Sequence, residues 1–211
     1  MAKLDLEIRI DEVGTRGDGV ARLDGERLYV PGTLAGELVR VRVSRDRKAG
    51  LQARLIAVDE PAVGRVEPPC PHFGTCGGCA LQHMDGDTYR AWKTGLLLGA
   101  LARQEVDHPA AEPVRVSPPG SRRRADLTAL RRHEDVLLGF NARGSHRVID
   151  LSVCPVLRPS LVALMGPLRT LLANVLDEGT RADIVLTDSA TGIELVLTGT
   201  MEIGMSRRER L

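Results

Sequence analysis

Four cysteines are the residues of this 211-residue chain best suited to chemistry. They follow the pattern C-x5-C-x2-C, then 74 residues, then C, at Cys70, Cys76, Cys79 and Cys154. Three clustered thiolates and one distant thiolate can close a tetrahedral shell round a single centre. Glycines at positions 74, 77 and 78 allow the backbone amides of the loop to turn inward toward that centre. The spacing therefore predicts one metal site built from all four cysteines.

The identity of the metal remains open between two main alternatives. An iron–sulfur cluster is favoured, because clusters are commonly held by clustered cysteines plus a distant one, and a proline follows both Cys70 and Cys154. Zinc suits four thiolates equally well, although structural zinc sites usually present two close C-x2-4-C pairs. A redox dithiol lacks its usual strand and helix context, and disulfides are rare in the cytoplasm. His72 and His83 flank the loop and are expected to be surface or backbone-bonded residues.

Arginine clusters are the second chemical feature. The net charge is only +1, so an anion site must be local, and only three of the 29 basic residues are lysines. Between Arg115 and Arg147, eight arginines face three acidic residues, which favours contact with a phosphate backbone. The alternative is an ordinary solvated arginine surface. The predicted RNA contacts are Arg122, Arg123 and Arg124 in this segment, and Arg45, Arg47 and Lys48 in a basic turn nearer the N-terminus.

Residues 1–61 have the alternating pattern of short β-strands. Leu4 to Ile10 alternate with charged residues, and Val39, Val41 and Val43 alternate with polar ones. Five strands within about 60 residues favour a small closed barrel of the OB-like type, because closure removes exposed edges.

The rest of the chain predicts a mixed α+β domain. Tyr89, Trp92, Leu96 and Ala100 recur at helical spacing, with Asp85 or Asp87 as the N-cap, and both aromatic residues are expected in the core. Further along, the patterns indicate one hairpin from residues 126 to 140, two short helices from 159 to 175, and a second hairpin whose residues 196–198 should form a core strand. The polar, unpatterned segment after Gly199 suggests a fragment or a shifted reading frame.

Length and composition complete these expectations. The chain fits two domains, divided at 1–61 and 62–211, with RNA binding assigned to both. There is no apolar run of membrane-spanning length, and the first residues do not form a signal peptide. We therefore expect a soluble, cytoplasmic monomer without membrane partners. Aromatic residues are too few to form a row of base-stacking platforms.

The cysteine loop and its surroundings resemble a known family. The loop from Cys70 to His83, preceded by a small barrel, resembles the RNA uracil-C5 methyltransferases, particularly the branch that modifies large-subunit (23S) ribosomal RNA. The segments that carry the rest of the resemblance are Gly17 to Arg22 and Val30 to Glu37, which are similar to TRAM-domain motifs, and Tyr89, Lys93 and Cys154-Pro155, which are similar to the central domain. The transfer RNA branch shares the chemistry but is expected to lack both barrel and cluster.

The resemblance implies a TRAM barrel, a central domain with a [4Fe-4S] cluster on Cys70, Cys76, Cys79 and Cys154, and a segment near Arg122 to Arg124 that lies close to the substrate. Such enzymes attack C6 of uracil with a cysteine thiolate and transfer a methyl group from S-adenosylmethionine to C5. All four cysteines match cluster ligands, so none is left as the nucleophile, and no glycine-rich loop opens a helix. We therefore name no catalytic or cofactor-binding residue.

Two functional expectations follow from that inventory. The first is a part of a methyltransferase that supplies RNA recognition and the cluster, lacks a Rossmann-like methyltransferase domain, and is inactive as the 211-residue chain alone. The second is a self-standing RNA-binding iron–sulfur or zinc protein without catalysis. A radical-SAM enzyme is disfavoured, because its cluster motif is C-x3-C-x2-C with an open iron site.

Overall fold

A computed structural model describes residues 4–46, 50–107 and 111–199. The chain divides into two compact units, here called the N-terminal unit (Met1–Pro68 and Ala80–Val116) and the cysteine unit (Pro69–Cys79 and Ser117–Leu211). The segment Ala80–Val116 therefore groups with the strands, whereas the sequence placed it after the boundary at residue 61. The assignment of RNA-binding roles to residues 1–61 and 62–211 stays a prediction.

The N-terminal unit is a two-sheet barrel with one core. Its described strands are β1 (Leu4–Arg9), β2 (Glu12–Val13), β3 (Gly19–Leu23), β4 (Glu26–Val30), β5 (Leu38–Asp46) and β6 (Gly50–Glu60). They form two antiparallel three-stranded sheets, β1-β5-β6 and β2-β3-β4. The alternating pattern of β5 turns Val39, Val41 and Val43 into the core, where they meet Leu28 and Val30 of β4.

The predicted five-stranded barrel is wrong in its strand count, because the described residues of this unit contain six strands in two sheets. The strand that was missed, β2, has two residues, which is too short for a period of two to show. It pairs with β3, placing Glu12 opposite Val20 and Val13 opposite Gly19.

Helix α1 (Gly86–Arg103) also belongs to the N-terminal unit. It begins as predicted, since the Asp85 side chain accepts a hydrogen bond of 2.7 Å from the backbone amide of Thr88. No described residue of the helix is fully buried. Tyr89 and Trp92 are half-buried, so the expectation that they lie in the core is corrected, and the indole Nε1 of Trp92 donates to the carbonyl of Val13 at 3.0 Å.

The cysteine unit packs two helices against one antiparallel sheet. Its described elements are β7 (Arg124–Arg132), β8 (Asp135–Gly139), α2 (Pro159–Ala163), α3 (Met165–Val175), β9 (Arg181–Asp188) and β10 (Ile193–Gly199). The strand order is β10-β9-β7-β8. The apolar face of α3 buries Leu168, Leu172 and Val175 against Leu127 and Ile184 of the sheet. This core supports the segments that carry the cysteines.

The strand β10 departs from its prediction. Residues 196–198 were expected in a core strand, yet β10 lies at the edge of the sheet and its side chains are mostly exposed. Val196 retains 44% of its accessible surface. Apolar composition alone does not distinguish an edge strand from a central one. The polar segment after Gly199 lies outside the described residues.

Candidate functional site

The cysteine loop is a series of tight turns. The amide of Phe73 donates to the carbonyl of Cys70 at 3.0 Å, and the amide of Cys76 donates to the carbonyl of His72 at 2.9 Å. The amide of Gly78 approaches the Sγ atom of Cys76 at 3.4 Å, a contact that supports a sulfur carrying negative charge. The loop therefore turns at least one amide toward a thiol, as the glycines predicted.

The loop is attached by backbone contacts to the segment that follows β8. Cys76 forms an isolated antiparallel bridge with Ala142, and the amide of Gly77 donates to the carbonyl of Asn141 at 2.9 Å. A Cβ atom on Gly77 would lie 2.7 Å from that carbonyl oxygen, so only glycine permits this close approach. A Cβ atom on Gly78 would lie 3.2 Å from the ring of Phe140 and 3.5 Å from the sulfur of Cys76.

Cys154 joins the loop from a distant part of the sequence. The amide of Ser152 donates to Nε2 of His72 at 3.3 Å, which ties the segment before Cys154 to the loop. On the other side, the amides of Gly120 and Arg122 donate to the carbonyls of Pro155 and Val156 at 2.8 and 3.1 Å. Both Cys76 and Cys154 are partly buried against the core of the cysteine unit. The fold thus holds the fourth cysteine beside the other three.

The pKa of the Cys76 thiol reflects the proximity of the other three cysteines. Burial raises the pKa of its thiol, the amide of Gly78 lowers it, and the negative charges of Cys79, Cys70 and Cys154 each raise it further. All four cysteines are free thiols of intermediate exposure. Bound iron or zinc would relieve that repulsion, because a metal ligand is the deprotonated thiolate.

A single zinc ion sets a narrow range for the distances between its donors. A tetrahedral zinc with Zn–S bonds of about 2.3 Å needs sulfurs roughly 3.8 Å apart. Among the described residues, no group of three or more His, Cys, Asp or Glu side chains is close enough to hold one metal ion. The preference for an iron–sulfur cluster over zinc therefore rests on the spacing of the cysteines in the sequence.

The two histidines beside the loop have other partners. His72 accepts the amide of Ser152 and contacts the hydroxyl of the same residue at 3.2 Å, as expected for a backbone-bonded histidine. His83 lies fully buried in the N-terminal unit, beside the backbone of Thr33. Burial, followed by the charge of Arg65, lowers the pKa of His83, which keeps the ring neutral.

The predicted arginines of the cysteine unit lie at the start of β7. The guanidinium of Arg122 lies 6.0 Å from the ring centroid of Phe140, the ring that packs against Gly78 in the cysteine loop. Arg124 forms a loose, exposed ion pair of 3.4 Å with Asp126. Arg123 is exposed, and its charge lowers the pKa of Asp188 after the contributions of Ser160 and Arg158. The structure thus places Arg122 next to the loop and leaves Arg123 and Arg124 on the surface.

One of the three residues predicted in the basic turn of the barrel has an acidic partner, and RNA contact at this turn stays a prediction. Arg45 forms an ion pair of 2.9 Å with Glu26, a residue of β4 in the other sheet. Arg47 and Lys48 lie outside the described residues. The sequence gives the net charge of the whole barrel, but the ion-pair partner of each arginine depends on how the strands are placed.

A buried ion pair in the N-terminal unit was not predicted. Glu37 is fully buried, and its carboxylate accepts hydrogen bonds from the amides of Leu34 and Ala62 and from two nitrogens of Arg65, one of them at 2.8 Å. Burial alone would raise the pKa of Glu37, but these bonds outweigh it and lower the pKa. A single glutamate in a loop gives no sequence signal of such a role.

No helix in the described ranges combines the length and apolar character needed to cross a membrane.

Both units of the chain are similar to parts of known proteins. Residues 5–56 match the TRAM domain family. An uncharacterized RNA methyltransferase of Brucella suis is 38% identical over 205 residues, which is 97% of this chain and 48% of that protein. The 23S rRNA (uracil(1939)-C(5))-methyltransferase of Halomonas elongata is 42% identical over 166 residues, covering 77% of this chain and 34% of the relative. The corresponding enzyme of Shewanella woodyi is 34% identical over 217 residues, covering all of this chain and 48% of the relative.

A solved structure agrees with the fold. It is the Pyrococcus abyssi tRNA (uracil-54, C5)-methyltransferase in complex with S-adenosyl-L-homocysteine, with a TM-score of 0.66 and 22% identity over 97% of this chain and 48% of that chain. Because the match covers both units, the expectation that transfer RNA enzymes lack a barrel is wrong for this relative.

The same matches correct the predicted fold class. We expected an α+β protein whose Rossmann-like methyltransferase domain was missing, yet 97% of the chain aligns with RNA methyltransferases in sequence and in structure. The chain spans about half the length of the curated relatives that cover it best. The 211 residues therefore correspond to one region of such enzymes, and their extent is no evidence that a domain is missing.

Proposed function

Because this chain carries a TRAM domain and has homologues among the RNA uracil-C5 methyltransferases, we propose that it supplies RNA recognition and a [4Fe-4S] cluster to a class I methyltransferase that forms 5-methyluridine. The RNA is large-subunit ribosomal RNA, since the named bacterial relatives act on 23S rRNA. The observation that carries the proposal is the similarity over nearly the whole chain, together with four cysteines gathered in one unit.

The cluster is proposed to bind through Cys70, Cys76, Cys79 and Cys154. Their mutual electrostatic effect and the amide contact to Cys76 support one site shared by the four thiols, and three clustered cysteines plus a distant one favour a cluster over a single zinc ion. The cluster would cross-link the loop to the segment before α2, so its role is structural. Free thiols fit a cytoplasmic location, which is part of the same proposal.

The number of cysteines limits the chemistry that residues 1–211 can perform by themselves. The chain has four cysteines, and the proposal assigns all of them to the cluster. S-adenosylmethionine would supply the methyl group in the enzyme, but we assign it no residue of this chain. The 211 residues alone are therefore proposed to bind RNA without methylating it.

The RNA surface of the cysteine unit is proposed to include Arg122, Arg123 and Arg124. Arg123 and Arg124 are exposed, and Arg122 lies beside the loop through its contact with Phe140. The exposed pair between Arg124 and Asp126 is weak enough for a phosphate to replace it. A cluster behind these arginines would fix their position relative to the substrate.

Deletion of the gene tests the proposed function. Mass spectrometry of digested RNA should show loss of 5-methyluridine from large-subunit ribosomal RNA and unchanged levels in transfer RNA. The intact gene should restore the modification, and residues 1–211 alone should not, because no thiol is free to attack C6. Unchanged 5-methyluridine in both RNAs would favour a self-standing RNA-binding metalloprotein. Restoration by residues 1–211 alone would place one of the four cysteines in the active site.

A further inference from the structure

The arginines of the N-terminal unit fall into two groups that differ in pairing. On the sheet β1-β5-β6, Arg9, Arg40 and Arg42 pair with Glu60, Asp59 and Asp5 at 2.7, 2.9 and 2.6 Å. These pairs neutralise the three arginines. A phosphate approaching any of the three would have to displace a carboxylate.

The hairpin of β3 and β4 presents the second group. Its register places Arg22 directly opposite Arg27, and Val20 opposite Tyr29, on the face opposite to the one that Ala21 and Leu28 turn into the core. On this face Val20 is buried, whereas Arg22, Arg27 and Tyr29 are exposed. Like charges directly opposite each other destabilise a strand pair. Neither arginine forms an ion pair in the part of the chain that the structure describes. The fold therefore keeps an uncompensated positive pair on this face.

An exposed aromatic ring lies next to that pair. Tyr29 retains 48% of its accessible surface, which is unusual for a large aromatic residue within a strand. It lines a groove of about 390 Å³ with Gly14, Thr15, Arg16 and Asp18.

The groove continues toward α1. A neighbouring hollow of about 610 Å³ is bordered by Tyr29 and Arg27 on the hairpin and by Trp92 and Arg103 on the helix. Glu12 also borders it, so the two hollows are lined by three arginines, Arg16, Arg27 and Arg103, and by two acidic residues, Glu12 and Asp18. The balance around the ring is positive.

We propose that the outer face of the β3–β4 hairpin binds single-stranded RNA, with one base stacked on Tyr29 and the adjoining phosphates on Arg22 and Arg27. This combination of an aromatic platform and unpaired arginines is how proteins hold unpaired nucleotides. The inference rests on the proposed function and adds a site to it. On the barrel, the hairpin face would act beside the predicted turn at Arg45, whose pair with Glu26 is exposed.

The test measures binding of a fluorescein-labelled single-stranded oligouridine to the purified, cluster-loaded protein by fluorescence anisotropy. Tyr29→Leu should weaken binding about 5- to 150-fold, the range for loss of one stacked base, while Tyr29→Phe keeps the wild-type affinity. Arg22→Gln/Arg27→Gln should flatten the slope of log K against log salt by about 1.4, or ~0.7 for each lost phosphate contact on a single strand.

A matched control separates a specific site from net charge. Arg40→Gln/Arg42→Gln removes the same two charges from the neutralised sheet and should leave the salt slope near the wild-type value. As a second readout, oligouridine should quench the fluorescence of Trp92, the single tryptophan, which borders the groove. At the same RNA concentration, quenching should be lost in Tyr29→Leu.

The outcomes distinguish this inference from the proposed function. Equal affinities for Tyr29→Leu and Tyr29→Phe, or equal salt slopes for the two double arginine variants, would overturn the hairpin site. The exposed face would then be better explained as a surface for protein contacts. If the triple variant Arg122→Ala/Arg123→Ala/Arg124→Ala still weakens binding, RNA recognition by the cysteine unit stands without the hairpin. If the wild-type protein binds no RNA, both proposals fail.

Discussion

Replacing Cys154 by serine is expected to abolish metal binding and to lower the melting temperature by roughly 10 °C, as much as replacing Cys76 does. The two residues are separated by 77 positions in sequence, yet both contact the same core of the cysteine unit. A cluster bound to both cross-links the loop to the segment before α2, so loss of either ligand releases the same restraint. Metal content and far-UV circular dichroism melting of both variants measure this.

The control for this prediction is the neighbouring residue. Val153 is 45% exposed, and Val153→Ala alters the same segment without removing a thiol. This variant should retain its metal and melt within about 2 °C of the wild type, as usual for surface substitutions. A Cys154→Ser protein that retains full metal content would remove Cys154 from the site.

Replacing Glu37 by glutamine is expected to destabilise the N-terminal unit by about 3 kcal/mol, because breaking a buried ion pair leaves a charge without its partner. The side chain of Arg65 is only 22% exposed, so water cannot fully replace the carboxylate. Urea unfolding followed by Trp92 fluorescence reports this unit, since the indole hydrogen-bonds to Val13 within it. Glu60→Gln breaks the exposed pair with Arg9 and should cost less than about 1 kcal/mol.

The same pair predicts a pH dependence. The pKa of Glu37 is lowered from 4.5 in the folded state, so its contribution is complete above pH 4.5 and is lost as the pH falls through the lowered value. His83 also lowers the folding stability, and it does so at a higher pH than Glu37. Its pKa in the folded state is lowered from 6.5, so the unfolded chain binds a proton first as the pH falls below 6.5. The stability difference between wild type and Glu37→Gln should therefore shrink below pH 4.5. An unchanged difference down to pH 3 would show that the carboxylate does not carry the effect.

Most elements of the fold could be predicted from the sequence because their patterns are local. The alternation around Val41 and the cap at Asp85 each depend on residues within one strand or one turn. The short strand β2 and the edge position of β10 depend on pairing between distant segments, which no local pattern records. The half-buried state of Trp92 has the same cause, since it depends on where α1 meets Val13.

The candidate site divides in the same way. The types and spacing of the four cysteines predicted a single site, and the structure gathers them in one unit. The sequence could not show which arginines form ion pairs. The partner of Arg45, for example, is set by the positions of β4 and β5 and not by neighbouring residues. The pairing of Arg22 with Arg27 across the hairpin likewise required the register.

The most direct test of the four-cysteine centre is elemental and sulfide analysis of the protein purified without oxygen. We expect about four irons and four acid-labile sulfides per chain, with a brown colour and a broad absorption band near ~400 nm from thiolate-bound iron. Stoichiometric zinc in a colourless protein would contradict it.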